Sequence, residues 1–260
     1  MPVNGTVKTT IARGWRLLQR FTPGQPKLTI LYYHAVPEAD AANFDRQMAW
    51  LGANANIVHA DHQGALDAKR PNVAVTFDDA FESVAAFGIA SLQRHKVRAI
   101  IFVPSGWLGR NPGWQMETDA DRSERVMNAA ELRALPSETI RFGSHSVDHP
   151  RMSQLDPAQR EAQYVQSRDV LQAELGAPID TLAFPYGDHD PALVELARKL
   201  GYRYVYSILP EGVRPETNAV CRGRTAVDAG DPLDLFVLKA QGAFSWLPLA
   251  IKAKRMLRGR

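Results

Sequence analysis

The alternation of apolar runs with helical patterns over residues 28–208 constrains this fold more than any other feature. Stretches with helical spacing, such as residues 80–95, lie between short, mostly apolar runs that predict strands at residues 28–34, 72–77, 97–103, 139–143, 181–184 and 202–208. Strands that are apolar throughout are buried on both faces, and strands joined through helices usually pair in parallel. The sequence therefore predicts an α/β fold with a parallel sheet covered by helices.

Composition limits the kinds of site that this chain can build. Of its 260 residues, 45% are hydrophobic, which is ample for a buried core and excludes intrinsic disorder. Cys221 is the only cysteine, so a disulfide framework and a multi-cysteine zinc site are excluded. The formal net charge of +3 does not indicate a nucleic-acid partner. A metal site would have to consist of His, Asp and Glu.

Residues with chemical functions lie at the carboxyl ends of four of the predicted strands. They are His34, the pair Asp78–Asp79, His145, and the pair Pro185–Tyr186. In closed parallel barrels the active-site residues lie at the carboxyl ends of the strands. This coincidence is the strongest functional indication in the sequence.

The spacing of two histidines makes a metal site plausible. His145 and His149 are four residues apart, so both imidazoles can point at one ion. Two histidines with one aspartate form a ligand set that leaves positions open for water and substrate. Each part has an ordinary alternative: the histidines could be surface residues, and one of Asp78 and Asp79 could cap a following helix.

Three segments in order resemble the polysaccharide deacetylase family, which includes chitin and peptidoglycan N-acetylglucosamine deacetylases. The segments are T-F-D-D-A at residues 76–80, H-S-V-D-H-P at residues 145–150 and F-P-Y-G at residues 184–187. The opening L-Y-Y-H-A-V is similar to the subgroup with an early Tyr-His pair, and the resemblance covers residues 28–227. It implies a distorted, incomplete (β/α) barrel.

The resemblance also implies a role for each matching residue. Asp79, His145 and His149 match the ligands of one divalent metal ion, for which zinc is expected and iron, cobalt or nickel also fit. Asp78 matches the catalytic base. Tyr186 matches the donor of a backbone N–H to the oxyanion, within the segment Pro185, Tyr186 and Gly187.

The sequence departs from the family pattern at several positions. Ala80 stands where Gly is usual, which we expect to be tolerated if the position is helical. Ala183 stands where many members carry an arginine that tethers the base. Arg224, or else Arg222, resembles the arginine that some members place further along the chain. Arg224 is expected among the residues that contact the substrate or the oxyanion.

The general acid and the walls of the substrate site are predicted less directly. His34 is the candidate acid, because the early Tyr-His subgroup places that histidine at the site. The alternatives are a core histidine bonded to backbone, or His189 as the acid. Trp107 and Trp114 could wall a sugar subsite, or they could anchor a long loop over residues 105–125.

The sequence thus predicts metal-dependent de-N-acetylation of an N-acetylated amino sugar in a polysaccharide, oligosaccharide or lipid-linked saccharide. A non-catalytic carbohydrate-binding barrel and a metal-dependent amidase acting on a non-sugar amide are the alternatives. We expect the deacetylase barrel to span residues 28–240, between a basic amphipathic segment at residues 1–27 and a basic helix at residues 241–260.

The location of the protein is predicted from what the sequence lacks. No run approaches the ~20 apolar residues of a membrane span, and no secretory signal is recognisable, so we expect a cytoplasmic protein. Its basic ends could touch the anionic inner membrane peripherally. Residues 1–27 and 252–260 each carry five basic residues and no acidic residue.

Overall fold

One parallel sheet organises the structure, a computed structural model that describes residues 5–21, 24–116 and 122–257. Over these residues the sheet has nine strands, and every strand pair is parallel. The strands are β1 (Leu28–Tyr33), β2 (Asn56–Ile57), β3 (Asn72–Phe77), β4 (Ala99–Val103), β5 (Ile140–Ser144), β6 (Thr181–Ala183), β7 (Tyr204–Tyr206), β8 (Cys221–Arg222) and β9 (Thr225–Ala226).

Helices connect most of these strands. They are α1 (Gly5–Phe21), α2 (Ala41–Asn54), α3 (Ile89–Arg94), α4 (Ala129–Arg133), α5 (Pro157–Leu175), α6 (Pro191–Lys199), α7 (Leu233–Ala240) and α8 (Leu247–Leu257). None of the described helices is long and apolar enough to cross a membrane.

The order of the strands requires the sheet to curl. The order is β8-β7-β6-β5-β4-β3-β1-β9, with β2 also pairing with β3, so β8 and β9 lie at opposite ends. Seven steps of about 4.8 Å would separate these ends by about 34 Å in a flat sheet. Only Gly223 and Arg224 connect the two strands, a link that spans about 11 Å at most. The sheet is therefore an incomplete barrel, as predicted.

Alternate residues of the strands fill two apolar regions. Phe102 and Tyr206 point inward, with ring centroids 5.2 Å apart. Val103 and Val205 are buried in the larger core on the helix side. Gly143 gives the inner face room, because a Cβ there would lie 2.5 Å from the Phe102 ring.

Helix α4 has a regular N-terminal cap, whereas the helix before β4 begins irregularly. The capping box of Asn128 and Glu131 is present at the start of α4. The helix predicted over residues 80–95 instead begins with a π-helical turn at Val84–Gly88 and continues as α3. Ala80 has a φ of 53° and is not part of the helix, so the expectation that a helix accommodates it was wrong.

The N-terminal helix packs beside the end of the barrel. Ala12 is fully buried in a small cluster with Ala243 and Phe244. Residues 1–4, 22–23 and 258–260 of the basic ends, and residues 117–121 of the predicted loop, lie outside the described residues. The division at residues 28 and 240 stays a prediction.

Candidate active site

Three buried side chains from two strand ends converge on one point. The Nε2 atoms of His145 and His149 lie 3.2 Å apart, and they lie 3.6 and 3.4 Å from Oδ1 of Asp79. All three residues are at most 6% exposed. The structure therefore brings together the three predicted metal ligands, although His145 and His149 follow Asp79 by 66 and 70 positions in the sequence.

The loop after β5 is held in shape by hydroxyl and amide side chains. The His149 N–H donates to Oγ of Ser146, at 3.1 Å, and the Ser146 N–H donates to Oγ of Ser144. Oε1 of Gln163, on α5, accepts the N–H groups of Val147 and Asp148. These bonds keep both imidazoles on the same side of a compact loop.

Each imidazole has a defined orientation. Nδ1 of His145 lies 2.8 Å from the carbonyl oxygen of Ala183, which can only accept, so Nδ1 carries the proton and Nε2 presents its lone pair. His149 is held by packing: its ring stacks on Trp114 at 4.6 Å and meets Tyr186 edge-on at 4.7 Å.

The donor set fits a divalent metal ion. Bonds of about 2.0–2.1 Å in a tetrahedral arrangement place neighbouring ligand atoms about 3.3 Å apart. The observed distances of 3.2, 3.4 and 3.6 Å are close to that value. Among the described residues, one group of three His, Cys, Asp or Glu side chains has ligand atoms that all lie within 4.8 Å of one another. It consists of Asp79, His145 and His149. Two imidazoles and one carboxylate suit zinc and also other first-row metals.

Burial keeps both histidines in the neutral form that binds metals. Desolvation lowers the pKa of His145 to about 4, although the nearby Asp78 opposes the shift. Desolvation and the neighbouring His145 lower the pKa of His149 well below its ordinary value. Neutral rings at physiological pH are available as ligands without first losing a proton.

Asp78 is held by an arginine that is itself fully buried. Nη1 and Nη2 of Arg224 donate to the two carboxylate oxygens of Asp78 at 2.6 and 2.8 Å. Arg224 also donates to the Ser207 carbonyl and to Oγ1 of Thr76. Burial alone raises the pKa of Asp78, but Arg224 and His145 outweigh it and lower the pKa to about 2. Asp78 is therefore an ionised carboxylate with a fixed orientation.

The two arginine candidates have different positions. Arg224 pairs with the carboxylate of Asp78, and so can fill the tethering role for which position 183 has only an alanine. Arg222 lies over the Tyr204 ring at 3.7 Å and donates to the carbonyl oxygens of Ala60 and His62.

Backbone strain is concentrated around the site. Asp79, Ala80, His149 and Tyr186 have φ values between 53° and 67°, in the left-handed region that non-glycine residues rarely occupy. Such conformations cost about 1–3 kcal/mol each and cluster at functional sites. A glycine at position 80 would adopt this conformation without the Cβ penalty that Ala80 carries.

The turn of Pro185, Tyr186 and Gly187 follows β6 and faces the same point. The Gly187 N–H donates to the Phe184 carbonyl and the Asp188 N–H to the Pro185 carbonyl. These bonds place Tyr186 at the middle of the turn, with its ring against His149 and its φ at 56°. Gly187 permits close contact, since a Cβ there would lie 2.3 Å from Ile208.

His34 lies at the rim of the cavity and not in the core. Its side chain is exposed, and its ring meets Tyr32 edge-on at 5.7 Å. The alternative of a buried histidine is thus not what the structure shows. His189 stacks on Phe184 at 5.3 Å, and its Nδ1 lies 2.7 Å from the Gly187 carbonyl oxygen.

A cavity of about 200 Å³ opens over the three predicted ligands. His34, Asp78, Trp114, Tyr186 and Ile208 are among the residues that line it. Trp107 packs edge-on behind Trp114 at 5.4 Å, so the cavity wall at this point is Trp114. Sequence reasoning missed Gln115, Met116, Ile208 and Asp228 of the lining, because they belong to loops without a recognisable pattern.

Comparisons with known proteins agree on one family. The profile of the family described as Polysaccharide deacetylase matches residues 65–205, more than half of the chain. YxkH of Bacillus subtilis (strain 168), which is named after the same family, is 20% identical over 215 residues, 78% of this chain and 72% of that protein.

Solved structures show the same fold. The deacetylase PplD of Streptococcus pyogenes, in complex with acetate, has a TM-score of 0.68 at 18% identity, over 84% of this chain and 99% of that one. IcaB of Ammonifex degensii has a TM-score of 0.68 at 24% identity, over 85% and 98%. The chain belongs to the polysaccharide deacetylase family, the hydrolases that deacetylate carbohydrates.

Proposed function

We propose that the chain removes acetyl groups from an N-acetylated amino sugar with the help of one divalent metal ion bound by Asp79, His145 and His149. The observation that carries this proposal is the geometry of these three ligand atoms beside an ionised, tethered carboxylate, Asp78. Zinc is the metal that we expect. A polysaccharide, an oligosaccharide such as an N-acetylglucosamine oligomer, and a lipid-linked saccharide are the candidate substrates.

The residues of the site divide the work of amide hydrolysis. A bound divalent ion supplies polarisation of the acetamide carbonyl and a water of lowered pKa. Asp78 accepts the proton of the attacking water. Arg224 keeps Asp78 ionised and aimed at the cavity.

Two further groups act on the tetrahedral intermediate. The Tyr186 N–H, within the turn of Pro185, Tyr186 and Gly187, donates to the oxyanion. His34 protonates the leaving amine, a role that suits an exposed histidine at the cavity rim. His189 is less well placed for this step, because Phe184 lies between its ring and the cavity.

A metal-dependent amidase acting on a non-sugar amide is the second candidate. The cavity of about 200 Å³ over the ligands has room for an acetyl group and does not by itself select a sugar. Family membership favours carbohydrate, and it argues against a barrel that binds sugars without catalysis. Within either candidate, the cytoplasmic location remains a prediction.

The first prediction concerns the metal. Chelator-treated enzyme should release no acetate from N-acetylglucosamine oligomers, and added zinc should restore release. His145→Ala and His149→Ala should each bind zinc at least ~100-fold more weakly, because even outer-shell changes cost about 10–100-fold. Elemental analysis measures the bound metal, with His62→Ala as the matched control. Full metal occupancy in both site variants would exclude the ligand assignment.

The second prediction concerns Asp78. Asp78→Asn should retain the metal and lower kcat by about 100- to 10,000-fold, the usual contribution of a general base. The variant also leaves Arg224 buried without a carboxylate, so its thermal unfolding must be measured. Asp61→Asn is the control, because Asp61 pairs with Arg141 and Arg203 away from the cavity. A folded Asp78→Asn enzyme with unchanged kcat would assign the proton transfer to another group.

The third prediction concerns His34. His34→Ala should keep the metal, lower kcat, and remove the alkaline fall of the kcat/KM profile, since a general acid must be protonated to act. His189→Ala should leave that limb in place. The reverse pattern, with the limb lost only in His189→Ala, would move the acid to His189.

A further inference from the structure

Exposed apolar side chains are concentrated on the two terminal helices. Among the described residues, nine large hydrophobic side chains are exposed, and six of them lie on α1 or α8. The six are Ile11, Leu17, Leu18, Leu249, Ile251 and Met256, with 40–67% exposure. Single exposed hydrophobics are normal, but a cluster of them marks an interaction surface.

The first helix has an apolar face that points away from the protein. Ile11 and Leu18 are seven residues apart and so lie on one face, at 41% and 60% exposure. Gly14, between them, has no atom within 4 Å of the position of a Cβ. The side that packs on the protein carries Ala12, which is fully buried, and Trp15, which donates to Ser245.

The last helix extends from the protein with its side chains in solvent. Every described side chain from Leu249 to the end of α8 is exposed. Leu249 and Met256, seven residues apart, are 60% and 67% exposed on one face. An isolated helix of eleven residues is marginally stable in water, so a surface that receives its apolar face would stabilise it.

The charge of these helices indicates the kind of partner. α1 and α8 together carry seven basic residues and no acidic residue. Arg13 forms an exposed pair with Asp234 of α7, and the remaining charge is still positive. A second copy of the chain would bring basic helices against basic helices, whereas an anionic surface complements them.

We propose that α1 and α8 form a peripheral binding surface for an anionic lipid bilayer. Apolar side chains enter the boundary between headgroups and acyl chains, and basic side chains contact anionic headgroups. Each basic residue near such a surface adds to the attraction, and salt weakens it. The surface does not depend on the proposed metal site.

The surface adjoins the active-site cavity. A groove of about 380 Å³ is lined by Lys8 of α1 and Leu247 of α8, together with Phe244 and Ile208. Ile208 also lines the cavity above the predicted metal ligands. A bilayer bound to the terminal helices would therefore lie on the side of the protein where this groove meets the cavity. A substrate anchored in that bilayer could then reach the cavity.

Sedimentation of the full chain with vesicles tests this proposal. Vesicles of equal parts phosphatidylcholine and phosphatidylglycerol should bind the wild type, vesicles of phosphatidylcholine should bind it weakly, and high salt should release it. Ile11→Glu should weaken binding about tenfold or more, since it replaces an apolar side chain that enters the bilayer with a charged one. Leu249→Glu tests the second helix independently.

Val170→Glu is the matched control, because Val170 is a β-branched residue with the same 41% exposure as Ile11 but lies on α5. It should bind like the wild type, and circular dichroism should show all variants folded. Wild type that stays in the supernatant with anionic vesicles would overturn the proposal. Equal losses of vesicle binding in Ile11→Glu and Val170→Glu would also overturn it. So would a chain that does not bind lipid but forms a dimer that Ile11→Glu dissociates.

Discussion

The buried ion pair between Asp78 and Arg224 is the interaction on which both the barrel closure and the site depend. Arg224 lies in the two-residue link that joins opposite ends of the sheet. Its guanidinium reaches the end of β3 at Asp78 and Thr76, and the chain after β7 at Ser207. One fully buried side chain thus ties the link between the two sheet edges to the carboxyl ends of β3 and β7.

This pair is better understood through function than through stability. A buried ion pair contributes little compared with an apolar pair of similar size, because both charges lose their hydration. Loss of one partner nevertheless costs about 3–5 kcal/mol, since the other charge is left buried alone. The pair therefore constrains Asp78 to a single orientation and to its ionised form beside the three predicted ligands. Backbone strain at Asp79 and Ala80 is the local cost of turning the chain sharply at that point.

Much of the fold and the core of the site could be predicted from sequence. Apolar runs identified six strands. A strand that is buried on both faces is apolar along its length, and this signal can be recognised without knowing which strands pair with it. The short strands β2, β8 and β9 were missed, because two-residue strands depend on partners distant in sequence. Motifs located Asp79, His145 and His149. The sequence named both Trp107 and Trp114 as candidate wall residues, and only tertiary packing shows that Trp114 lines the cavity. The conformation of Ala80 was predicted wrongly, because alanine favours a helix and rarely adopts the positive φ that it has here.

The most direct test of the central claim is a crystal structure of the zinc-loaded chain with anomalous data collected at the zinc absorption edge. One strong anomalous peak should lie about 2.0–2.2 Å from the Nε2 atoms of His145 and His149 and from a carboxylate oxygen of Asp79. Asp78 should remain paired with Arg224 and should not bind the ion. A peak ligated by Asp78, or zinc bound elsewhere while these three side chains stay empty, would contradict the account.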